Sequence, residues 1–335
     1  MTALTVSLEF LTKVINGHNF QASTRPLIIG ISGPQGSGKS FLTLGLLASL
    51  QSKYPQLNIV QFLMDDLYLS HHYQDKVTQQ ARLEDNPLLQ GRGLPGTHDV
   101  VLGREIFSQL QGPARENVEG QPPGKQWGQE LNRGELNQEL NQELTHGSLT
   151  ETQNVQPRNT PGLKIPIYDK SAFGGEGDRV PPAKWQSILS PVDLVIFEGW
   201  FNGFRPLDAD QFRTKYLVSG PDGPLQRYRF SSLEAINNKL QHYTEFWNVF
   251  DKFVFLQTTS IDNVYAWRLE QEHDLVTKEG RGMDDDQVKD FVRRYMPVYH
   301  LYYEKMCSEG VVEEENGNLR IEIDKARNVV GTSIF

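Results

Sequence analysis

The sequence predicts an α/β protein with a mostly parallel central sheet and helices on both faces. Three observations carry this. Residues 27–31, 59–63, 192–197 and 253–256 are short apolar runs that read as buried strands. Segments with helical spacing separate them. A glycine-rich turn joins the first strand directly to the first long helix, in which Phe41, Leu42, Leu44, Leu46, Leu47 and Leu50 recur at helical intervals.

That turn is Gly33-Pro34-Gln35-Gly36-Ser37-Gly38-Lys39-Ser40, which satisfies G-x-x-x-x-G-K-[ST]. Its glycines let successive backbone N–H groups converge on phosphate oxygens, and the helix that follows adds the positive end of its dipole. Lys39 supplies a mobile cation for the β- and γ-phosphates, and the Ser40 hydroxyl is a ligand for Mg²⁺. Gly33, Pro34, Gln35, Gly36, Ser37, Gly38, Lys39, Ser40 and Phe41 are therefore the expected ATP-binding residues.

The bulk properties exclude several classes. The 335 residues suffice for one large α/β domain, and a formal charge of −9 without clustered basic residues argues against nucleic acid as a partner. No apolar run approaches membrane-spanning length, and the first residues carry Glu9 and no basic leader, unlike a signal peptide. The one cysteine, Cys307, admits no internal disulfide and fits a reducing compartment, the cytoplasm or the nucleus. Leu4, Leu8, Leu11 and Ile15 mark one face of an amino-terminal helix.

Along the chain, the second strand ends in Met64-Asp65-Asp66-Leu67-Tyr68. Carboxylates at the carboxyl end of a strand lie where open α/β sheets bind ligands, although either aspartate could instead cap the next helix. His71-His72 reads as a solvated helix start without metal-ligand spacing. Gly91, Gly93, Pro95 and Gly96 break regular structure around a polar loop holding Arg92, Thr97, His98 and Asp99, a candidate substrate wall. Residues 111–160 are rich in Gln, Asn, Glu, Gly and Pro and are expected to be a disordered insertion within a single domain spanning 1–335.

The strand at 192–197 ends in Glu198-Gly199-Trp200, and in a phosphate-loop protein Glu198 is placed to hold Mg²⁺ directly or through water. Residues 233–250 read as one helix. Asp262 is expected to cap a helix carrying Trp267, Arg268 and Leu269, and Asp284 to open another. Arg268 and Arg281 bracket a glycine-flanked loop, where a lid would set charge against a transferring phosphate. Residues 319–323 alternate like an edge strand.

With these pieces in place, the chain resembles the glycerate 3-kinase-like group of the phosphoribulokinase, uridine kinase and pantothenate kinase superfamily, nearest the fungal ATP-binding kinases of that group. The segments that carry the resemblance are residues 33–40, Met64-Asp65-Asp66-Leu67-Tyr68-Leu69, residues 92–99, Tyr168-Asp169-Lys170-Ser171 with Gly177-Asp178-Arg179, Phe197-Glu198-Gly199-Trp200, and the arginine-bearing pattern from Trp267 to Gly282. It implies a three-layer P-loop NTPase fold with a lid. Asp65 matches the catalytic base, with Leu67 where Phe is commoner. Glu198 matches the metal-linked carboxylate, and Arg268 and Arg281 match lid arginines. Asp66, Tyr68, Arg92, His98, Tyr168 and Lys170 fall where relatives hold the acceptor, and Arg92 and Lys170 would suit an anionic one. The expected activity is transfer of the γ-phosphate of ATP, with Mg²⁺, to a hydroxyl of a small metabolite, D-glycerate first. An alternative is a regulatory ATP-binding protein without metabolite kinase activity. A GTPase is disfavoured, because Asn238-Lys239-Leu240-Gln241 lacks the aspartate of a guanine reader.

Overall fold

The computed structural model describes residues 1–111, 161–280 and 282–335. The expected insertion at 111–160 lies, beyond Gln111, outside the described residues, as does Arg281.

The first half of the chain runs α1 (Ala3–Gly17), β1 (Leu27–Ser32), α2 (Lys39–Lys53), β2 (Ile59–Leu63), a 3₁₀ turn at Met64–Leu67, α3 (His71–Leu83) and α4 (Val100–Gln111). Next come β3 (Pro161–Ile165), β4 (Tyr168–Asp169), β5 (Asp178–Arg179), β6 (Gln186–Leu189) and β7 (Leu194–Glu198). The chain continues through α5 (Ala209–Val218), α6 (Phe230–Leu240), α7 (Thr244–Asn248), β8 (Lys252–Thr258), α8 (Asn263–Glu279), α9 (Asp285–Arg293) and α10 (Met296–Glu309), and closes with β9 (Asn318–Ile323) and β10 (Val329–Ile334).

Six strands form the central sheet in the order β10-β9-β8-β1-β7-β2. All neighbours are parallel except the β9–β10 pair. β1 and β7 are buried along their whole length, which is why they read as unbroken apolar runs. Because β7 is inserted between β1 and β2, Glu198 stands opposite Ile31 on one side and Leu63 on the other. The register thus aligns the ends of three strands, so that the loop after β1, the turn after β2 and the last residue of β7 share one edge.

Gly30, Phe62 and Phe197 lie in one row across β1, β2 and β7. An aromatic layer from α4 and the α6–β8 region packs against that row. Phe107 lies 5.5 Å from Phe62 and 5.0 Å from Phe197, and Phe250 lies 6.2 Å from Phe197. Gly30 is required here, because a Cβ would come within 2.5 Å of the Phe250 ring. α1 and α2 pack on each other and form the second helical layer. The stripe that α1 buries is Val6, Phe10, Leu11 and Ile15, with Leu4 and Leu8 at its margin.

Three local expectations are corrected. Residues 319–323 are not an edge strand: β9 is flanked by β8 and by the antiparallel β10, and its alternation arises because Arg320 and Glu322 lie half-exposed between buried Leu319, Ile321 and Ile323. The helix read over 233–250 is broken by a 3₁₀ turn at Gln241–Tyr243, where His242, Tyr243 and the following Thr244 favour helix weakly. Asp262 stands at the start of α8 but its side chain makes no cap. Asn263 Nδ2 donates to Thr258 Oγ1 there instead, at 2.9 Å. Asp284 does cap α9, in a reciprocal box with Gln287.

Candidate active site

The phosphate loop is held from several directions. Gly36 and Gly38 adopt φ of +78° and +91°, conformations that favour glycine. The Gln35 N–H donates to the Tyr299 hydroxyl at 3.0 Å, and Arg327 Nε, from the β9–β10 turn, donates to the Gly36 carbonyl at 2.8 Å. Asn202 Nδ2 donates to the carbonyls of Ile31 and Phe197, both at 3.1 Å, and so stitches β1 to β7 just below the loop. A Cβ on Gly199 would lie 2.2 Å from Asn202 Oδ1, which accounts for the glycine in Glu198-Gly199-Trp200.

Beside the loop, Ser40 Oγ donates to Glu198 Oε1 at 2.9 Å, and Lys39 Nζ lies 3.9 Å from the same oxygen. Glu198 is 5% exposed, and its Oε2 is buried without a partner. A buried carboxylate oxygen of this kind, next to a hydroxyl and a lysine, is suited to an oxygen-seeking divalent cation. The donor set therefore fits Mg²⁺.

Across from the loop, Asp65 Oδ2 accepts from Lys170 Nζ at 2.6 Å, and Tyr68 lines the same cavity. Burial pushes the Asp65 pKa up, but the charges and hydrogen bond of Lys170, with Lys39 behind it, outweigh burial and leave it below the usual value. Asp65 is thus a carboxylate at neutral pH. Burial also lifts the Tyr68 phenol well above its ordinary value, so it remains a donor.

These groups line one cavity of about 690 Å³, whose wall includes Gln35, Gly36, Lys39, Ser40, Asp65, Tyr68, Arg92, Lys170, Glu198 and Arg268. Arg92 is clasped through the carbonyls of Gly175 and Glu176, and its guanidinium sits 5.7 Å over the Tyr168 ring. Arg268 is paired with Glu272 at 2.8 Å and packs over Phe291, while its Nε is buried without a partner. Glu272 Oε1 in turn accepts the Met283 N–H at 2.9 Å, tying the segment after α8 back onto that helix.

Other expected residues stand off the cavity wall. Gly33, Pro34, Ser37 and Gly38 form the frame of the loop, and Phe41 is 81% exposed on the first turn of α2. Tyr168 braces Arg92 from behind, and its N–H donates to Asp66 Oδ1 at 3.3 Å. Asp66 faces a separate cavity of about 440 Å³ between α2, β2 and β6. His98 is buried behind Tyr68, whose ring it stacks on at 4.5 Å.

Burial raises the Asp66 pKa to about 6. The folded protein then holds this proton at pH values where the unfolded chain has released it. The stabilisation is fully present below the ordinary carboxylate range and is lost as pH rises through about 6. Asp66→Asn, neutral throughout, should therefore gain thermal stability over the wild type by about 2 °C or more between pH 5 and pH 7.5. An equal Tm offset at both pH values would contradict this assignment.

Sequence reading missed several residues of the site. Arg294, between α9 and α10, lines the cavity and donates to the Gln90 and Arg92 carbonyls at 2.8 and 2.5 Å, binding the loop before Gly93 to the helical segment. Arg327 reaches the phosphate loop from more than 280 residues away in sequence. His71 does start α3 but is not simply solvated. It stacks on Phe173 at 3.8 Å and pairs with Glu176 at 2.7 Å, and Asp75 joins them in a cluster whose ligating atoms lie within 4.8 Å. Among the described residues, no helix is long and apolar enough to cross a membrane.

No protein-family model matches the chain. It is 36% identical to the probable ATP-dependent kinase TDA10 of Saccharomyces cerevisiae, over 99% of this chain and 96% of that protein. It is 29% identical to the chloroplastic D-glycerate 3-kinase of Arabidopsis thaliana, over 91% of this chain and 54% of that protein. Among solved structures, D-glycerate 3-kinase from Cryptococcus neoformans var. grubii superposes with a TM-score of 0.74 at 32% identity, covering 99% of both chains. A phosphate loop facing a strand-end aspartate, on a scaffold shared along nearly the whole chain with these enzymes, leads to one assignment: the chain belongs to the glycerate 3-kinase-like family of P-loop kinases and is a small-molecule kinase.

Proposed function

We propose that the protein transfers the γ-phosphate of ATP to a hydroxyl of a small carboxylate-bearing metabolite, with D-glycerate as the first candidate. The observation that carries this reading is the Lys170–Asp65 pair, 2.6 Å apart on the wall that also presents Lys39 and Ser40. A lysine on the base is a cation that an acceptor carboxylate can take over. The substrate named for the Arabidopsis and Cryptococcus relatives, D-glycerate, has such a carboxylate next to its hydroxyls.

In this mechanism the backbone amides of residues 33–40 cradle the phosphates and Lys39 neutralises charge on the transferring group. Ser40 and Glu198 would hold Mg²⁺, which would offset negative charge on the phosphates. Asp65 accepts the proton of the acceptor hydroxyl as that oxygen attacks in line. Its depressed pKa makes it a weak base while Lys170 is on it. Transfer of Lys170 to the acceptor carboxylate restores basicity only when the correct substrate is present. Arg92 offers a second cation on the acceptor side and Arg268 another on the cavity wall, and Arg281 keeps its expected role against the transferring phosphate. A reducing compartment such as the cytoplasm fits the single cysteine.

The test is ATP consumption by the purified protein with Mg²⁺ and a panel of hydroxy acids, sugars and alcohols. D-glycerate or another small hydroxy acid should raise turnover at least about tenfold over ATP alone. Consumption that no acceptor stimulates would favour the regulatory ATP-binding reading.

A further inference from the structure

α3 turns one face to the cavity that holds Asp65. His71, Gln74, Asp75, Thr78 and Arg82 line it, at positions i, i+3, i+4, i+7 and i+11 of the helix. Asp75 and Arg82 are exposed, and the residues that α3 buries are Gln74 and Ala81. Gln74 is 8% exposed. A glutamine so deeply buried is unusual, because an apolar side chain of the same length would fill the space without desolvating an amide.

The amide is also only half satisfied. Gln74 Nε2 donates to Thr78 Oγ1 at 3.3 Å, and Oε1 is buried without a partner. Thr78 engages one end of the amide, so the other end is unpaired whichever way the group is turned. The neighbouring groups on this wall are already engaged. His71 Nε2 lies 2.7 Å from Glu176 Oε2, and Arg92 donates to the carbonyls of Gly175 and Glu176. Among the described residues of α3, Gln74 Oε1 is the one buried side-chain atom with no partner. Buried polar atoms are nearly always hydrogen-bonded, so this one calls for a donor supplied from the cavity. That donor is not an anion, which a carbonyl oxygen repels, and a cation would be drawn to the carboxylates of Asp75 and Glu176 instead. A hydroxyl fits. It is neutral, it donates to a carbonyl oxygen, and it accepts equally well from an amide N–H.

We propose that Gln74 reads a second hydroxyl of the acceptor, the one that is not phosphorylated, so that the site selects a dihydroxy acid over a monohydroxy acid. The inference rests on the kinase reading given above and narrows its substrate class. Gln74 shares its cavity with Asp65, Lys170 and Arg92. The three groups of such an acceptor then have separate counterparts. The reacting hydroxyl meets Asp65, the carboxylate meets Lys170 and Arg92, and the remaining hydroxyl meets the Gln74 amide. A buried hydrogen-bonding group rejects an analogue that lacks the matching hydroxyl, because the group is then left desolvated and unpaired. Gln74 is a specificity residue in this account, and it takes no part in proton or phosphoryl transfer.

The test compares D-glycerate with 3-hydroxypropanoate and D-lactate, each of which keeps the carboxylate and one of the two hydroxyls. In the wild type, kcat/KM for either analogue should lie at least about 100-fold below that for D-glycerate. Gln74→Met keeps the length of the side chain without the amide. It should lower kcat/KM for D-glycerate by about 30-fold or more and leave that for the analogue with the reacting hydroxyl within about threefold of the wild type. Gln74→Glu keeps an acceptor oxygen at the same reach, so it should preserve the discrimination while raising KM for an anionic acceptor. A glutamine that only packs, or that bonds only a fixed water, would change kcat/KM for all three acids alike, and that result would overturn the proposal. If another acid proves to be the acceptor, the comparison is made with it and its singly deoxygenated analogues. A monohydroxy acid used as fast as any diol would then refute the role of Gln74 and leave the kinase reading intact. A further measurement needs no turnover. In side-chain ¹⁵N amide spectra, the signal that Gln74→Met removes should shift when D-glycerate is added with ADP and Mg²⁺. A shift without any acceptor-stimulated turnover would keep the subsite and refute the kinase reading, whereas a still signal under conditions that support turnover would refute the subsite alone. Neither shift nor turnover would overturn both.

Discussion

Asp65→Asn should lower acceptor-dependent turnover by about 10³-fold, while the affinity for ATP changes by no more than about threefold. Asparagine keeps the size and the acceptor oxygen of the side chain but cannot take up a proton. It also removes the charge that holds Lys170 at 2.6 Å, so KM for an anionic acceptor should not rise and is expected to fall as Lys170 is released to it. Steady-state kinetics with the acceptor found in the panel, alongside nucleotide titration of the same preparation, separates the two effects. Retained kcat would remove Asp65 from the role of base. A parallel loss of ATP binding would place it in the nucleotide site.

Lys39→Ala is expected to abolish measurable transfer, with kcat/KM down by about 10³-fold or more. Lys39 Nζ is 3.9 Å from Glu198 Oε1, so in the folded protein it already stands between the phosphate loop and the strand-end carboxylate. Its removal takes away charge stabilisation of the transferring group and leaves Glu198 with only the Ser40 hydroxyl bond. Because Lys39 is the first residue of α2 and its backbone geometry is set by Gly38, alanine there should not disturb the helix. Circular dichroism should be unchanged while activity is lost. Activity within tenfold of the wild type would contradict the role given to this lysine.

Much of this architecture was legible in the chain because local chemistry and global placement agree. The phosphate loop could be read from spacing alone, since only a strand, a glycine turn and a helix in that order satisfy its backbone demands. The carboxylates Asp65 and Glu198 were legible because each ends an apolar run, and the parallel register puts strand ends together. What could not be read was anything set by contacts far apart in sequence. Arg327 and Arg294 look like ordinary surface arginines until the fold carries them to Gly36 and Arg92. The same holds for Tyr243, which sits inside a segment read as continuous helix and is displaced onto His98 by the 3₁₀ turn that breaks it. Asp66 illustrates the converse. It adjoins the base in sequence, but a 3₁₀ turn rotates successive side chains by about a third of a revolution, and this one opens onto a different cavity.

Tyr168 and Lys170, which we propose to lie on the acceptor side, belong to, or directly follow, a two-stranded ribbon that is hydrogen-bonded separately from the six-stranded sheet. The groups that act on phosphate, by contrast, are anchored to β1, β2 and β7. In the proposed mechanism, recognition and reactivity are therefore mounted on different parts of the architecture. Exchange of the ribbon for one of another shape would retune which alcohol is admitted while leaving the phosphoryl-transfer apparatus intact, a division of labour that makes this scaffold a natural starting point for engineered substrate choice.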